Sequence, residues 1–143
     1  MRTTEIDMEA VITAAETIPN KAPVFMLNLL RYKEQADYGE PTSFVPCSGR
    51  EAYFQRYIPA FNKIASSEGI EGIKIFYVGS VAACLVAPSD EKWDDVAIVE
   101  YPDFAAFRRI SESSLYTAQA DQHRRAALED WRLIATTKMD LPG

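Results

Sequence analysis

The most constraining feature of this sequence is the stretch of residues 93–137, which predicts a strand, a helical region and a second strand in one unit. Residues 96–101 are mostly apolar and rich in β-branched side chains, and Pro102 ends this strand because proline cannot donate to a β-ladder. Asp103 follows at an N-cap position, and the next apolar residues recur at helical spacing. Residues 131–137 then predict the closing strand.

The first half of the chain predicts the same pattern. Residues 24–30 form a strand candidate, and Ser48 and Glu51 have the spacing of a capping box that starts a helix. Pro59 lies inside this helix and is expected to kink it. One helix face carries a mainly aromatic stripe: Tyr53, Tyr57, Phe61 and Ile64.

Three further segments complete the chain. Residues 8–17 predict an extra N-terminal amphipathic helix. Residues 34–46 form a long polar loop. It is either a lid over a pocket or a mobile surface insert. Residues 73–87 are a long apolar run with Gly79 at its centre, so either a bulged strand or a tight hairpin is expected, with Cys84 as a small buried hydrophobe.

The resulting order of β, α, β, β, α, β predicts an α+β, ferredoxin-like fold, with an antiparallel sheet and helices on one face. We expect a single domain over residues 1–143, with its core at about 23–137. The predicted strand 96–101 carries apolar side chains on both faces, whereas the helices can cover only one. A homodimer packed sheet to sheet is the expected cover for the other face.

Composition excludes several classes of function. A net charge of -6 argues against a nucleic-acid partner. No apolar run is long enough to span a membrane, and the start of the chain has no signal-peptide pattern, so a cytoplasmic location is expected. Phosphate-loop, zinc-site and nucleophile-elbow motifs are absent, so we expect neither a metal nor a cofactor. The clustered basic residues are expected on solvated helix faces: Arg108, Arg109, Arg124 and Arg125.

Three segments resemble a known family: NLLRYK at 28–33, WDDVAIVEYPDFAAF at 93–107 and YTAQADQHRRAALEDWRLI at 116–134. They are similar to the domain of unknown function 1330 family, within the dimeric alpha-beta barrel superfamily. The resemblance implies the same fold, a dimer, and a pocket between sheet and helices. The superfamily includes cofactor-free oxygenases, isomerases, polyketide cyclases and haem-using members, so the resemblance implies no single reaction.

Two residues are the candidate catalytic groups. His123 is the single histidine, and its ordinary pKa suits proton transfer near neutrality. It shares a predicted helix face with Tyr116 and Ala120, although a structural histidine is the alternative. Asn28 lies in the middle of a predicted strand, where its amide is either a hydrogen-bond donor to a ligand oxygen or a structural group.

Five residues are candidates for substrate binding. Arg31 and Tyr32 end the strand that carries Asn28, and are suited to an acidic or phenolic group, although strand ends often carry such residues for solubility. The aromatic candidates Trp93, Tyr101 and Tyr116 would contact an apolar ligand. For Trp93 and Tyr101, as for Trp131, a role in the core or at the dimer interface is the alternative.

These residues, together with the reactions that the resemblance implies, leave two functions open. The first is a small cofactor-independent enzyme, a monooxygenase, isomerase or cyclase that acts on an apolar aromatic or polyketide-like carbonyl compound. In it His123 is the base and Asn28 the donor, so the two side chains must converge on one cavity. The second is a non-catalytic dimer that binds a small molecule.

Overall fold

The computed structural model describes residues 2–142 and contains a four-stranded antiparallel sheet. Its strands are β1 (Val24–Tyr32), β2 (Lys74–Ser80), β3 (Asp95–Tyr101) and β4 (Leu128–Thr136). They lie in the order β2-β3-β1-β4, which is the arrangement of a ferredoxin-like βαββαβ unit. The predicted fold class is confirmed.

The α-helices are α1 (Met8–Thr17), α2 (Gly49–Ala52), α3 (Ile58–Ser67), α4 (Phe104–Ser111), α5 (Ser114–Gln119) and α6 (Asp121–Ala127). Two of them, α2 and α4, begin at the predicted caps. Ser48 and Glu51 form the predicted capping box at α2, and the Asp103 carboxylate accepts the backbone N–H of Ala106 at 2.8 Å. No helix within residues 2–142 is long and apolar enough to cross a bilayer.

Pro59 is accommodated by a change of helix type. A π-helical segment, Tyr53–Tyr57, joins α2 to α3, and the backbone N–H of Ile58 donates to the carbonyl of Tyr53, five residues back. Pro59 consequently falls in the first turn of α3, where a helix does not need its missing N–H. Such π-helical turns are frequent at functional sites.

The two faces of the sheet have different surroundings. Along β1, Val24, Met26, Asn28 and Leu30 are buried, whereas the residues between them are only partly buried. Helix α1 lies on the buried side, where its residues border a groove with Met26 and Phe107. The N-terminal helix therefore adds to the layer of helices and leaves the second face of the sheet uncovered.

The uncovered face carries one apolar side chain from each strand in a single row. The pairing register places Tyr77 beside Ile98, Ile98 beside Leu27, and Leu27 beside Ile134. Tyr77 and Ile134, at the two edges, are 56% and 46% exposed. We call these four residues the open-face row.

The apolar run at 73–87 is a bulged strand and not a hairpin. The register of β2 shifts between Ile75 and Tyr77, and the strand ends at Ser80. The rest of the run is a loop in which Leu85 and Val86 are 90% and 98% exposed. Cys84 is exposed as well, so its prediction as a buried residue is wrong.

Candidate functional site

A cavity of about 290 Å³ lies between the sheet and the π-helical segment with α3. Its walls are mainly aliphatic and aromatic, and none of the residues that line it is charged. Ligand pockets in proteins usually combine such an apolar lining with a few polar groups that orient the ligand. Here the polar groups come from Asn28, Asn62, Ser111, Trp131 and four tyrosines.

Asn28 is held in one orientation by Trp131. The indole Nε1 of Trp131 donates to Oδ1 of Asn28 at 3.0 Å. Because an indole can only donate, the oxygen of the amide must face Trp131 and the NH₂ group must face away from it. This NH₂ group makes one long hydrogen bond, of 3.4 Å, to the carbonyl of Met26, so it keeps a donor that a ligand can use.

The tyrosines that line the cavity are Tyr53, Tyr57, Tyr101 and Tyr116. The hydroxyl groups of Tyr57 and Tyr116 are hydrogen-bonded to each other at 2.9 Å. Burial raises the pKa of all four phenols. Each phenol therefore stays protonated at neutral pH and keeps its ability to donate a hydrogen bond.

Arg124 lies behind this wall and corrects a prediction. Expected on a solvated helix face, it is only 2% exposed. Its guanidinium stacks 4.7 Å from the ring centroid of Trp131, donates to the Asp121 carboxylate, and donates to the carbonyl of Thr4. The charge of Arg124 acts against the larger effect of burial, which raises the pKa of Tyr116.

His123 does not reach the cavity. The helix that was expected to carry Tyr116, Ala120 and His123 on one face is interrupted at Ala120, where α5 ends and α6 begins. Tyr116 lines the cavity, whereas His123 does not. The interruption changes the helix register between Tyr116 and His123, so the two side chains do not share a face. The expectation that His123 and Asn28 converge on one cavity is therefore wrong.

His123 instead anchors the loop at 34–46. Its Nδ1 lies 2.7 Å from the hydroxyl of Tyr38, and the ring of Phe44 packs edge-on against it at 5.0 Å. Arg56 holds the same loop, because it donates to the carbonyl of Val45 at 2.6 Å. No residue of this loop lines the cavity, which disfavours a lid over the pocket mouth, one of the two alternatives for this loop.

We expect the anchor to weaken in mild acid. Burial, and then the nearby charge of Arg56, lower the pKa of His123 below the ordinary histidine value of about 6.5. The unfolded chain therefore binds the proton more readily, and the contribution of His123 to stability falls as pH drops from 6.5 through the folded pKa. Urea titrations across this pH range should show that lowering the pH costs His123→Asn less stability than it costs the wild-type protein. The asparagine keeps a hydrogen-bond acceptor but does not titrate. Equal losses in the two proteins would contradict this account.

The other predicted binding residues divide between the cavity and its surroundings. Tyr101 and Tyr116 line it. Tyr32 does not, but its ring packs against Tyr53, and its hydroxyl donates to Asp95 at 2.7 Å. Burial and the Asp95 carboxylate raise the pKa of Tyr32, so its phenol remains protonated.

Arg31 and Trp93 lie outside the cavity. Arg31 lies opposite Asp130 in the backbone ladder between β1 and β4. Trp93 is buried beneath the guanidinium of Arg132, which lies 5.1 Å from its ring centroid. These placements suit structural roles for both residues and do not bring either one to the same ligand as Asn28.

A second, more open groove of about 430 Å³ lies between α1 and strand β4. Unlike the first cavity, it has charged residues in its wall, Glu5, Asp7 and Arg132, and its polar groups do not surround an enclosed space. No cluster of three metal-ligating side chains occurs in the described range 2–142. The tyrosine-lined cavity is therefore the stronger candidate for a small-molecule site.

Sequence reasoning found part of this site and missed part. The aromatic stripe of the first main helix was visible, yet Tyr53 and Tyr57 were not named as ligand contacts. The sequence signal for these two contacts is that Tyr53 and Tyr57 are four residues apart, on one helix face, just before Pro59. Nothing local in the sequence reveals that Arg124 is buried, because its partner Thr4 is 120 residues away.

No protein-family model matches the chain, and no curated protein matches it either. A crystal structure of RPA0582, a protein of unknown function from Rhodopseudomonas palustris, is similar over 99% of this chain and 100% of its own, with 30% identity and a TM-score of 0.80. A structure of methylated RPA0582 covers 97% of this chain and 96% of its own, with 31% identity and a TM-score of 0.77. With this identity over the full length of both proteins, the chain belongs to the same family as RPA0582.

Proposed function

We propose that this protein binds an apolar, aromatic or polyketide-like carbonyl compound in the tyrosine-lined cavity. The observation that carries the proposal is the Asn28 amide, whose oxygen accepts from Trp131 and whose NH₂ group, after one long hydrogen bond to Met26, keeps an N–H that can donate to a ligand. A carbonyl oxygen is the natural partner of such a donor in a cavity that no charged side chain lines. The apolar body of the ligand would fill the remaining aromatic walls.

The test uses two probes of similar shape, 2-acetylnaphthalene and 2-ethylnaphthalene. We expect the wild-type protein to bind the ketone more tightly, by about three- to tenfold, because one hydrogen bond contributes roughly 0.5–1.5 kcal/mol. Asn28→Leu should lose this preference. Affinities can be measured by calorimetry, and stabilisation by thermal shift.

Asn62→Leu is the matched control. Asn62 is the other amide that borders the cavity, but its side chain is exposed, so this variant should keep the preference for the ketone. A wild-type protein that binds neither probe would overturn the proposed function. Equal loss of preference in both variants would remove the assigned role of Asn28.

A cofactor-independent enzyme at the same site is the second candidate. A preorganised amide donor in a water-poor cavity is suited to stabilise an enolate oxygen, as oxyanion-stabilising groups do in other enzymes. Against catalysis, no carboxylate, imidazole or amine lines the cavity, so a general base is lacking there. Hydrogen exchange at the methyl group of bound 2-acetylnaphthalene, followed by NMR in D₂O, separates the enzyme from a binding protein.

We also propose that the chain is a homodimer and a member of the domain of unknown function 1330 family, in the dimeric alpha-beta barrel superfamily. The ferredoxin-like sheet and its uncovered apolar row support this assignment. A partner packed on the uncovered face would leave the cavity accessible, because the cavity lies on the opposite side of the sheet, with Asn28 and Tyr101.

A further inference from the structure

The hydroxyl groups of Tyr57 and Tyr116 form a pair at the wall of the cavity, 2.9 Å apart. Both residues are nearly buried, with 8% and 4% of their surface exposed. Their rings meet edge-on, with centroids 6.2 Å apart, so the two hydroxyls are held by packing on both sides. The pair is therefore a fixed polar feature in an otherwise apolar wall.

A count of protons leaves one donor unused. Two phenols carry two hydroxyl protons, and the hydrogen bond between them uses only one. Within residues 2–142, neither hydroxyl donates to any other acceptor. Whichever phenol donates to the other, one O–H group remains available, and a buried donor without a partner is costly.

The charge of Arg124 favours a pair that acts as a donor. The guanidinium attracts the lone pairs of the Tyr116 oxygen and repels its hydroxyl proton. The pair is therefore expected to offer an O–H group, rather than a lone pair, to a ligand. Since burial raises the pKa of both phenols, the spare proton is retained at neutral pH.

We propose that the Tyr57–Tyr116 pair is a second hydrogen-bonding anchor of the cavity, and that the ligand carries two acceptor oxygens on an apolar aromatic body. Asn28 binds one oxygen and the tyrosine pair binds the other. This inference rests on the proposed function, since it uses the same cavity and the same class of ligand. It narrows that class from a carbonyl compound to a compound with a second carbonyl or an equivalent acceptor oxygen.

The experiment compares 2-acetylnaphthalene with a set of diacetylnaphthalenes that carry the second acetyl group at different ring positions. For the wild-type protein we expect at least one isomer to bind about threefold or more tightly than the monoketone. The double variant Tyr57→Phe/Tyr116→Phe should abolish this gain, measured as the ratio of the two affinities, because each single variant would keep one phenol O–H that can donate. Both substitutions remove only a hydroxyl group, and a thermal melt checks that the double variant is folded.

Tyr101→Phe is the matched control, because Tyr101 lines the same cavity but its hydroxyl is not part of the pair. It should keep the gain from the second oxygen. If 2-acetylnaphthalene binds but no diketone binds more tightly, the second anchor is refuted while the proposed function stands. A gain that persists in the Tyr57→Phe/Tyr116→Phe double variant refutes it as well, whereas failure of the monoketone to bind refutes the proposed function itself.

Discussion

In solution the protein is expected to sediment as a dimer of about 32 kDa, twice the chain mass of 16.1 kDa, and Ile98→Lys is expected to convert it to a monomer. Ile98 lies between Tyr77 and Leu27 in the open-face row, in the middle of the uncovered sheet. Each large apolar side chain that a partner fully buries contributes roughly 1.5–3 kcal/mol. A lysine at the centre of that contact would place an unpaired charge in an apolar interface, so the dimer should weaken by about a hundredfold or more.

Ile12→Lys provides the control for this experiment. Ile12 is 51% exposed on α1, away from the open-face row, so the same substitution there should leave the dimer intact. Analytical ultracentrifugation at micromolar concentration measures both variants. A wild-type species of 16.1 kDa under those conditions would contradict the prediction. So would an Ile12→Lys variant that dissociates as readily as Ile98→Lys.

Arg124→Met is expected to lower the free energy of unfolding by about 3 kcal/mol. The substitution removes a buried guanidinium that donates to the carbonyl of Thr4 and stacks on Trp131. That carbonyl would then have to find another donor or lose its hydrogen bond. A methionine can fill much of the space but cannot donate, so packing alone does not restore the stability.

The neighbouring residue Arg125 provides the control for this prediction. Arg125 also pairs with Asp121, and with Glu5, but its side chain is 49% exposed. Arg125→Met should therefore cost no more than about 1 kcal/mol, as expected for ion pairs in contact with water. Urea denaturation of both variants gives the two values. Losses of equal size would mean that burial is not what makes Arg124 important.

The fold could be predicted because its signals are local. The capping box at Ser48 and the N-cap at Asp103 lie next to the helices that they start. Strand order then follows from the sequence of elements, since few topologies accommodate βαββαβ. The bulge in β2 was one of two alternatives, and only pairing with β3 selects it.

The site was less predictable because it depends on where a helix is interrupted. Neither glycine nor proline marks Ala120, so the sequence there is compatible with an unbroken helix. An unbroken helix would present His123 on the face of Tyr116, whereas the interruption turns His123 toward Tyr38. Asn28, Tyr101 and Tyr116 were found because strand alternation and the first part of that helix are not affected by the interruption.

Strand β1 also constrains how this family can evolve. Its alternate residues serve two different surfaces, Asn28 in the cavity wall and Leu27 in the open-face row. A single inserted or deleted residue at the start of the strand would exchange the two sets, placing an amide in the apolar row and a leucine in the cavity. Descendants of this protein can therefore alter the cavity wall or the open-face row separately by substitution, but a length change in β1 would alter both at once.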